Sequence, residues 1–329
     1  MKPIPLNFVL LLLLSTMISL TTSNSFLIWA MLELNMLSFI PIIHITDSNT
    51  EAETSVKYII PQAFGSSLLM TSIILMTATQ HSNFLGTLAL TMKLGSAPFH
   101  SWFPPIMASA NLFASFILAT WQKLAPLLLL TSEQFAYSPL ITTLSISSAI
   151  WGSVAGLNQT NLLKLLAFSS INHLGWLMMA SLLNSLTQTL YLMFYSLSLL
   201  PAFLVMKTSN TKTYMITTVE LSTNVKMPIL TVSLLSLSGL PPMSMFMMKL
   251  PIIMMMASKS MSIQLLLMLM SATISLYFYL SLMMPLWLNH SLKTRNPKYH
   301  SPLPLTKPIY IFLITTQLMA LPTWLTFLP

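Results

Sequence analysis

Charge is what this chain has least of: Asp, Glu, Lys and Arg make up 6% of its 329 residues, where a soluble domain carries roughly a quarter. With 55% of the residues hydrophobic, no water-exposed surface can be built from the remainder. Cysteine is absent, which removes the thiolates that hold iron–sulfur clusters and excludes any disulfide. Glycine is sparse, with 7 residues in all, and none stands in a phosphate loop of the dinucleotide-binding or Walker type. The sequence therefore offers no redox centre and no nucleotide site of its own. The net charge of +8 does not describe a nucleic-acid surface either, since that needs cations clustered on a soluble face and here they sit mostly in short loops. The 27 methionines are spread over the apolar runs as lipid-facing or core-filling residues, not as metal ligands.

What is abundant is apolar sequence. Nearly uncharged runs of about 18 residues or more recur along the chain, and about 20 apolar residues in a helix span the ~30 Å hydrocarbon core of a bilayer. In lipid, backbone groups must be satisfied within a helix or a closed barrel. A barrel shows segments of about 10 residues alternating in polarity. Phe8 to Leu20 and Leu265 to Leu288 do not alternate, so helices are expected. Spans are predicted near 5–22, 25–45, 58–79, 84–105, 111–131, 139–157, 162–183, 186–206, 228–256, 262–287 and 308–327. The expected fold is an all-α polytopic membrane protein of about eleven transmembrane helices forming a single domain over residues 1–329. Lys2 before the first apolar run superficially resembles a signal peptide, but no small-residue cleavage site follows and another span begins at once. The polar stretches Thr46–Val56, Lys207–Lys226 and Asn289–Lys307 are expected as connections, with Asp47, Glu51 and Glu53 as solvated loop charges. On this parity ten loop cations, from Lys2 to Lys307, share the N-terminal side and only Lys259 lies opposite. The positive-inside rule puts the N-terminus on the inner face and the C-terminus on the other.

Setting the loop charges aside leaves Glu33, Lys93, Lys123 and Lys249 well inside spans. A charge at a helix centre costs about 2.5–3.5 kcal/mol on insertion scales, so such residues face a bundle interior or a hydrated cavity and commonly mark an ion path. Desolvation disfavours the ammonium form of a lysine and a nearby carboxylate favours it again. A lysine held in that balance can accept and release a proton. The competing interpretations are a permanent Glu33 ion pair that fixes packing, and lysines acting as counter-charges to a lipid or a neighbouring subunit. Lys93-Leu-Gly-Ser-Ala-Pro-Phe-His100 and Gly239-Leu-Pro-Pro-Met-Ser-Met-Phe-Met-Met-Lys249 each put Gly and Pro at membrane depth, where they interrupt the helical ladder. Discontinuous helices at matching places in two halves point to an inverted-repeat transporter. The breaks fall in the fourth and ninth spans, giving five-helix repeats near 5–131 and 139–287 and a final helix at 308–327. His100 at the first break and His173 in the seventh span are further candidates, since an imidazole relays protons near neutral pH. For His173 the alternative is a core histidine bonded to a carbonyl. Lys164 is expected to snorkel to a membrane face, and Glu133 and Lys259 to be interfacial. Gly152 and Gly156 form a G-x-x-x-G step that permits close helix approach.

Five segments together are specific: Trp29-Ala-Met-Leu-Glu33-Leu-Asn-Met-Leu-Ser-Phe-Ile-Pro41, Met92-Lys93-Leu-Gly-Ser-Ala-Pro-Phe-His-Ser-Trp102, Thr120-Trp-Gln-Lys123-Leu-Ala-Pro126, Gly156-Leu-Asn-Gln-Thr-Asn-Leu-Leu-Lys164 continuing to His173-Leu-Gly-Trp176, and Gly239-Leu-Pro-Pro242. They closely resemble NADH:ubiquinone oxidoreductase chain 2, an antiporter-like membrane subunit of mitochondrial complex I. The resemblance covers nearly the whole chain, and the larger antiporter-like subunits are much longer. It implies a fold related to cation/proton antiporters, a place among other membrane-arm subunits and inner-membrane lipids including cardiolipin, and a mitochondrial inner-membrane location with the N-terminus in the matrix and the C-terminus in the intermembrane space. NADH, FMN, iron–sulfur clusters and ubiquinone would be used by the complex, with none bound by this chain and no nucleic acid involved. It further implies that Glu33 and Lys93 are a charge pair, Lys123 the central relay and Lys249 the second-half site, with His100 and His173 on the hydrated axis. Two departures stand out: Pro105 occupies a position where a glutamate commonly follows Trp-x-Pro, and Met245 and Met248 replace a glycine and a proline. A stand-alone cation/proton antiporter, or a structural subunit whose lysines are fixed counter-charges, would carry many of the same features.

Overall fold

The computed structural model describes residues 6–45, 48–76, 82–209, 226–241 and 243–294. Among these residues the regular structure is helical, with no β-strand. Helix α1 is Leu6–Thr21, α2 Ser25–Ile43, α3 Asn49–Met76, α4 Ser82–Leu94, α5 Phe103–Ser109, α6 Leu112–Ala119 and α7 Trp121–Leu129. They are followed by α8 Ser138–Gly156, α9 Leu162–Leu183, α10 Ser185–Ser209, α11 Lys226–Ser238, α12 Ser244–Ser258 and α13 Ser262–Thr294. Among the described residues six helical stretches are long and apolar enough to cross a membrane: α2, α3, α6 with α7, α9, α10 and α13. The last predicted span, 308–327, lies outside the described residues.

Side-chain caps set several of the boundaries. The Asn24 and Asn161 side chains accept from the amides of Phe26 and Leu163 at the starts of α2 and α9, satisfying donors that a helix start leaves open. Asn111 caps α6 through Ala114 N and also donates to the Ile42 and Ile43 carbonyls at 3.0 and 3.2 Å. One side chain thus closes the end of α2 and the start of α6. Helix α3 begins earlier than the sequence suggests, within the expected connection. Ser48 Oγ accepts from Glu51 N at 3.3 Å, and Ser48-Asn-Thr-Glu51 has the S-x-x-E spacing of a capping box. Glu51 and Glu53 are therefore helical, not loop charges. Glu51 is buried, and Glu53 pairs with Lys57 one turn on. Asp47 lies outside the described residues. Helix α13 likewise runs on to Thr294, into the expected 289–307 connection.

The interrupted spans have local causes. Helix α4 stops at Gly95, whose φ is +72°; Ser96 N bonds Thr91 O and Gly95 N bonds Met92 O, both at 3.1 Å, the paired bonds of a Schellman end. Seven residues, 96–102, follow before α5 opens with Pro104 and Pro105 in its first turn, where a missing N–H costs nothing. Gly239, with φ +80°, ends α11 in the same left-handed conformation that L side chains rarely adopt. A third interruption was not anticipated: the single span expected over 111–131 is split at Thr120, with α7 restarting at Trp121.

Helix α9 is the most enclosed span, buried around most of its circumference, as a helix apolar on every face must be. It packs against α5, α7, α8, α10, α12 and α13. Around it, α1 and α13 turn Leu10, Leu11, Leu14, Ile263, Leu266 and Met270 outward, a surface suited to hydrocarbon. The small-residue step is shared between two partners. A Cβ on Gly152 would come within 2.6 Å of Asn172 N in α9, whereas one on Gly156 would meet the Phe278 ring of α13 at 3.1 Å. Gly175 makes the reciprocal approach from α9, where a Cβ would lie 2.6 Å from Ser145 O. Gly152→Ala and Gly175→Ala, which press on backbone, are expected to destabilise by about 1–3 kcal/mol. Gly156→Ala, which presses only on a ring, is expected to cost less. Thermal unfolding of the purified variants reads this order as a larger fall in Tm for the first two.

Candidate functional site

Three lysines stand inside the helical bundle, each delivered by an interruption. Lys93 occupies the last turn of α4 before Gly95 and is 6% exposed; Lys123 lies in the first turn of α7 just past the Thr120 break and is 2% exposed; Lys249, in α12 after the Gly239 break, is 5% exposed. Glycine makes room for two of them. The Lys93 stem lies where a Cβ on Gly65 of α3 would approach Cγ to 2.9 Å, and Lys249 Nζ sits 3.0 Å from the position of a Cβ on Gly239.

Glu33, in the middle of α2, is half-buried, and its Oε2 is buried with no hydrogen bond. Lys93 Nζ is likewise buried without a hydrogen-bond partner. The two are close enough for their charges to interact, and no salt bridge forms between them among the described residues. The same carboxylate acts electrostatically on the buried Tyr58 hydroxyl of α3.

Lys123 and Lys249 form no salt bridge among the described residues; aromatic faces surround them instead. Lys123 Nζ donates to Ser170 O of α9 at 3.1 Å and lies 5.2 Å from the Phe103 ring centroid and 5.4 Å from that of Tyr195. Lys249 Nζ is 5.5 Å from the Trp176 centroid. Both fall within the ~6 Å reach of a cation–π contact, worth about 2 kcal/mol when desolvated. His173, 2% exposed, stands between them. Its Nδ1 pairs with Tyr191 OH at 2.8 Å, and its ring meets Tyr195 at 5.0 Å. The imidazole also lies near the Leu237 backbone at the end of α11 and in electrostatic range of both Lys123 and Lys249. Lys123, Tyr195, His173 and, one turn along α9, Trp176 beside Lys249 form a polar and aromatic line through the core.

His100 is placed differently. It lies in the turns between α4 and α5, half-buried, against Trp151 of α8 at 5.6 Å. Trp151 is largely exposed, which sets His100 toward the perimeter. Lys164, Glu133 and Lys259 are exposed. Of the departures, Pro105 sits harmlessly in the first turn of α5, while Met245 and Met248 are buried in α12, which is helical through both. The sequence reading missed Asn35, Gln62 and Gln122, buried or half-buried in apolar spans. Gln122 Nε2 donates to Asn35 Oδ1 at 2.9 Å, Tyr58 OH donates to Gln122 Oε1 at 3.4 Å, and Gln62 Nε2 donates to Lys93 O at 3.0 Å. Amides within membrane spans were the available signal.

Residues 79–275 match a family model described as NADH:quinone oxidoreductase/Mrp antiporter, TM. NADH-ubiquinone oxidoreductase chain 2 of Lumbricus terrestris is 39% identical over 241 residues, covering 70% of this chain and 71% of that one. The chain belongs to the NADH-ubiquinone oxidoreductase chain 2 family. A second relative of that name, from Anopheles gambiae, is 39% identical over 208 residues, 60% of each chain. The fold is that of a chain in respiratory complex I from Thermus thermophilus with bound Aureothin, which superposes with a TM-score of 0.78 at 22% identity over 97% of this chain and 77% of that chain. Within the family, the matched region contains Lys93, Lys123, His173 and Lys249, while Glu33 precedes it.

Tyr191→Phe removes the hydroxyl partner of a fully buried imidazole nitrogen. An unsatisfied buried group costs about 1–3 kcal/mol, so the variant is expected to unfold at a lower temperature than the wild type in a thermal scan of the purified complex.

Proposed function

We propose that this chain is a proton-translocating subunit of the membrane arm of respiratory complex I, coupling NADH-to-ubiquinone electron transfer in other subunits to proton movement across the inner mitochondrial membrane. The observation that carries the reading is the burial of Lys93, Lys123 and Lys249, at 6, 2 and 5% exposure, in a chain 39% identical to chain 2 relatives. Three ammonium groups in an apolar bundle are costly, and ionisable side chains persist in such places where they carry protons or ions.

In this reading Glu33 and Lys93 form the input pair. Because they interact without a direct bond, a change in the charge near Glu33 alters how readily Lys93 holds its proton. Lys123 is the central relay, cradled by rings that favour its charged form. His173, bridged to Tyr191, hands on toward Lys249, which releases or forwards the proton in the second half. His100 belongs to the hydrated periphery of the same axis. The breaks at Gly95 and Gly239 support two five-helix repeats, near 5–131 and 139–287, in a single domain of about eleven helices closed by 308–327. The distribution of loop cations supports an N-terminus in the matrix and a C-terminus in the intermembrane space. The chain itself binds no cofactor; NADH, FMN, iron–sulfur clusters and ubiquinone act elsewhere in the complex. Its partners are the other membrane-arm subunits and lipids, cardiolipin among them.

Lys93→Met and Lys249→Met keep most of the length of the side chain and remove its charge. In assembled complex reconstituted into vesicles, protons moved per NADH oxidised are expected to fall in both. An unchanged ratio would leave only a structural role for these lysines. If the protein migrated apart from NADH dehydrogenase activity on blue-native gels, it would be a stand-alone antiporter.

A further inference from the structure

The turn joining α12 to α13 carries a cation that no acid answers. Lys259 is exposed and forms no salt bridge among the described residues. Its Nζ donates at 3.4 Å to Leu182 O at the end of α9, which leaves two ammonium donors open. Lys164 stands in the first turn of α9 and Lys259 beside its last. A cation at this end runs against the bias that orients the helices, so orientation does not account for it. The turn is tight: Ser260 N bonds Ala257 O at 3.2 Å and Met261 N bonds Met256 O at 3.1 Å. This is a Schellman end, with Ser260 at φ +55° where glycine is usual.

Two grooves open beside this turn. The longer, about 490 Å³, runs from Ala257 and Ser260 along one face of α13 through Ser262, Leu266, Met270 and Thr273. From Ser262 to Thr273 the helix rises ~16 Å at 1.5 Å per residue, about half of the ~30 Å hydrocarbon core of a bilayer. The shorter, about 310 Å³, has Lys259 and Met261 on one side and Ser138, Thr142 and Leu183 on the other. An apolar groove that starts at the membrane face, ends near mid-bilayer depth and has an unanswered cation at its mouth has the dimensions of one lipid leaflet. A transmembrane helix of another subunit would cross both leaflets and would not stop there. We propose that Lys259 and the α13 groove bind one anionic phospholipid. Its phosphate oxygens accept from Lys259 Nζ and the Ser262 hydroxyl, one acyl chain lies along Leu266 and Met270, and the second enters the shorter groove against α8. The site deepens the reading of lipids as partners in the membrane arm and rests on it for the bilayer setting; none of the buried lysines lines either groove.

The test uses the assembled complex, stripped of exchangeable lipid and supplied with phosphatidylglycerol carrying a diazirine in its acyl chain. Irradiation and peptide mapping are expected to find label within residues 257–273. Unlabelled phosphatidylglycerol is expected to compete it away, whereas phosphatidylcholine and inorganic phosphate leave it. Lys259→Met is expected to lower labelling of this segment roughly tenfold, the scale of one hydrogen bond to a charged group, while Lys259→Arg keeps it. Leu266→Trp fills the groove with the cation in place and is expected to lower labelling as far. Equal competition by phosphatidylcholine or inorganic phosphate, or unchanged labelling in Lys259→Met, overturns the proposal. So does cryo-electron microscopy density for a protein helix in the groove, whether from another subunit or from the apolar run 308–327. Should Lys259→Met release the end of α9 and prevent assembly, unchanged labelling in Leu266→Trp overturns it instead. Label elsewhere on the chain with none at 257–273 removes this site and leaves lipids as partners; no label anywhere removes both.

Discussion

Burying an ammonium group among apolar helices is the constraint around which this structure is arranged. Each such group demands compensation from side chains, carbonyls, ring faces or water, and the low dielectric that makes the uncompensated charge expensive also strengthens each compensating contact. The three lysines meet that demand in different ways. Lys93 has a carboxylate within electrostatic range. Lys123 has a carbonyl and two rings. Lys249 has Trp176 and the open space left by Gly239. None is locked in a salt bridge to an acid among the described residues.

The helix interruptions follow from the same constraint. A continuous helix consumes its own carbonyls and keeps side chains at fixed angles, so it has little backbone to offer a buried charge. Ending α4 at Gly95, splitting the next span at Thr120 and ending α11 at Gly239 opens the bundle at three points, each close in sequence or space to a lysine. Backbone irregularity at membrane depth is tolerated where protein buries it or a polar cavity receives it. The tight seam between α8 and α9, made by Gly152 and Gly175, holds the central helix rigid while its neighbours are broken. It fixes His173 and Trp176, which sit on that helix, relative to Lys123 and Lys249.

Much of this was legible before any coordinates. The periodicity of apolar runs placed α9 at its observed bounds and α1, α2 and α8 within a few residues, because a span of uncharged sequence in lipid has only one way to satisfy its backbone. Gly95 and Gly239 announced their breaks, since Gly followed by Pro cannot continue a helical ladder. The start of α3 differs from the connection that its polar residues suggest, because Ser48 and Glu51 form a helix cap there. The Thr120 break was not legible: no glycine or proline stands within five residues of it, and what marks the restart is the seating of Lys123 on Ser170 of another helix.

By itself the sequence determined the solvent, the helical class and the identity of the charged residues that must be sheltered, because composition and run length fix how a chain partitions between water and lipid; the family rests on the five motif segments instead. Tertiary structure alone decided which groups shelter them. That Tyr195 and Trp176 face lysines, that His173 meets Tyr191, and that Asn35, Tyr58 and Gln122 close on one cavity depend on side chains brought together across 18 to 87 residues of sequence. No local periodicity encodes such distances; they are set by how the helices pack.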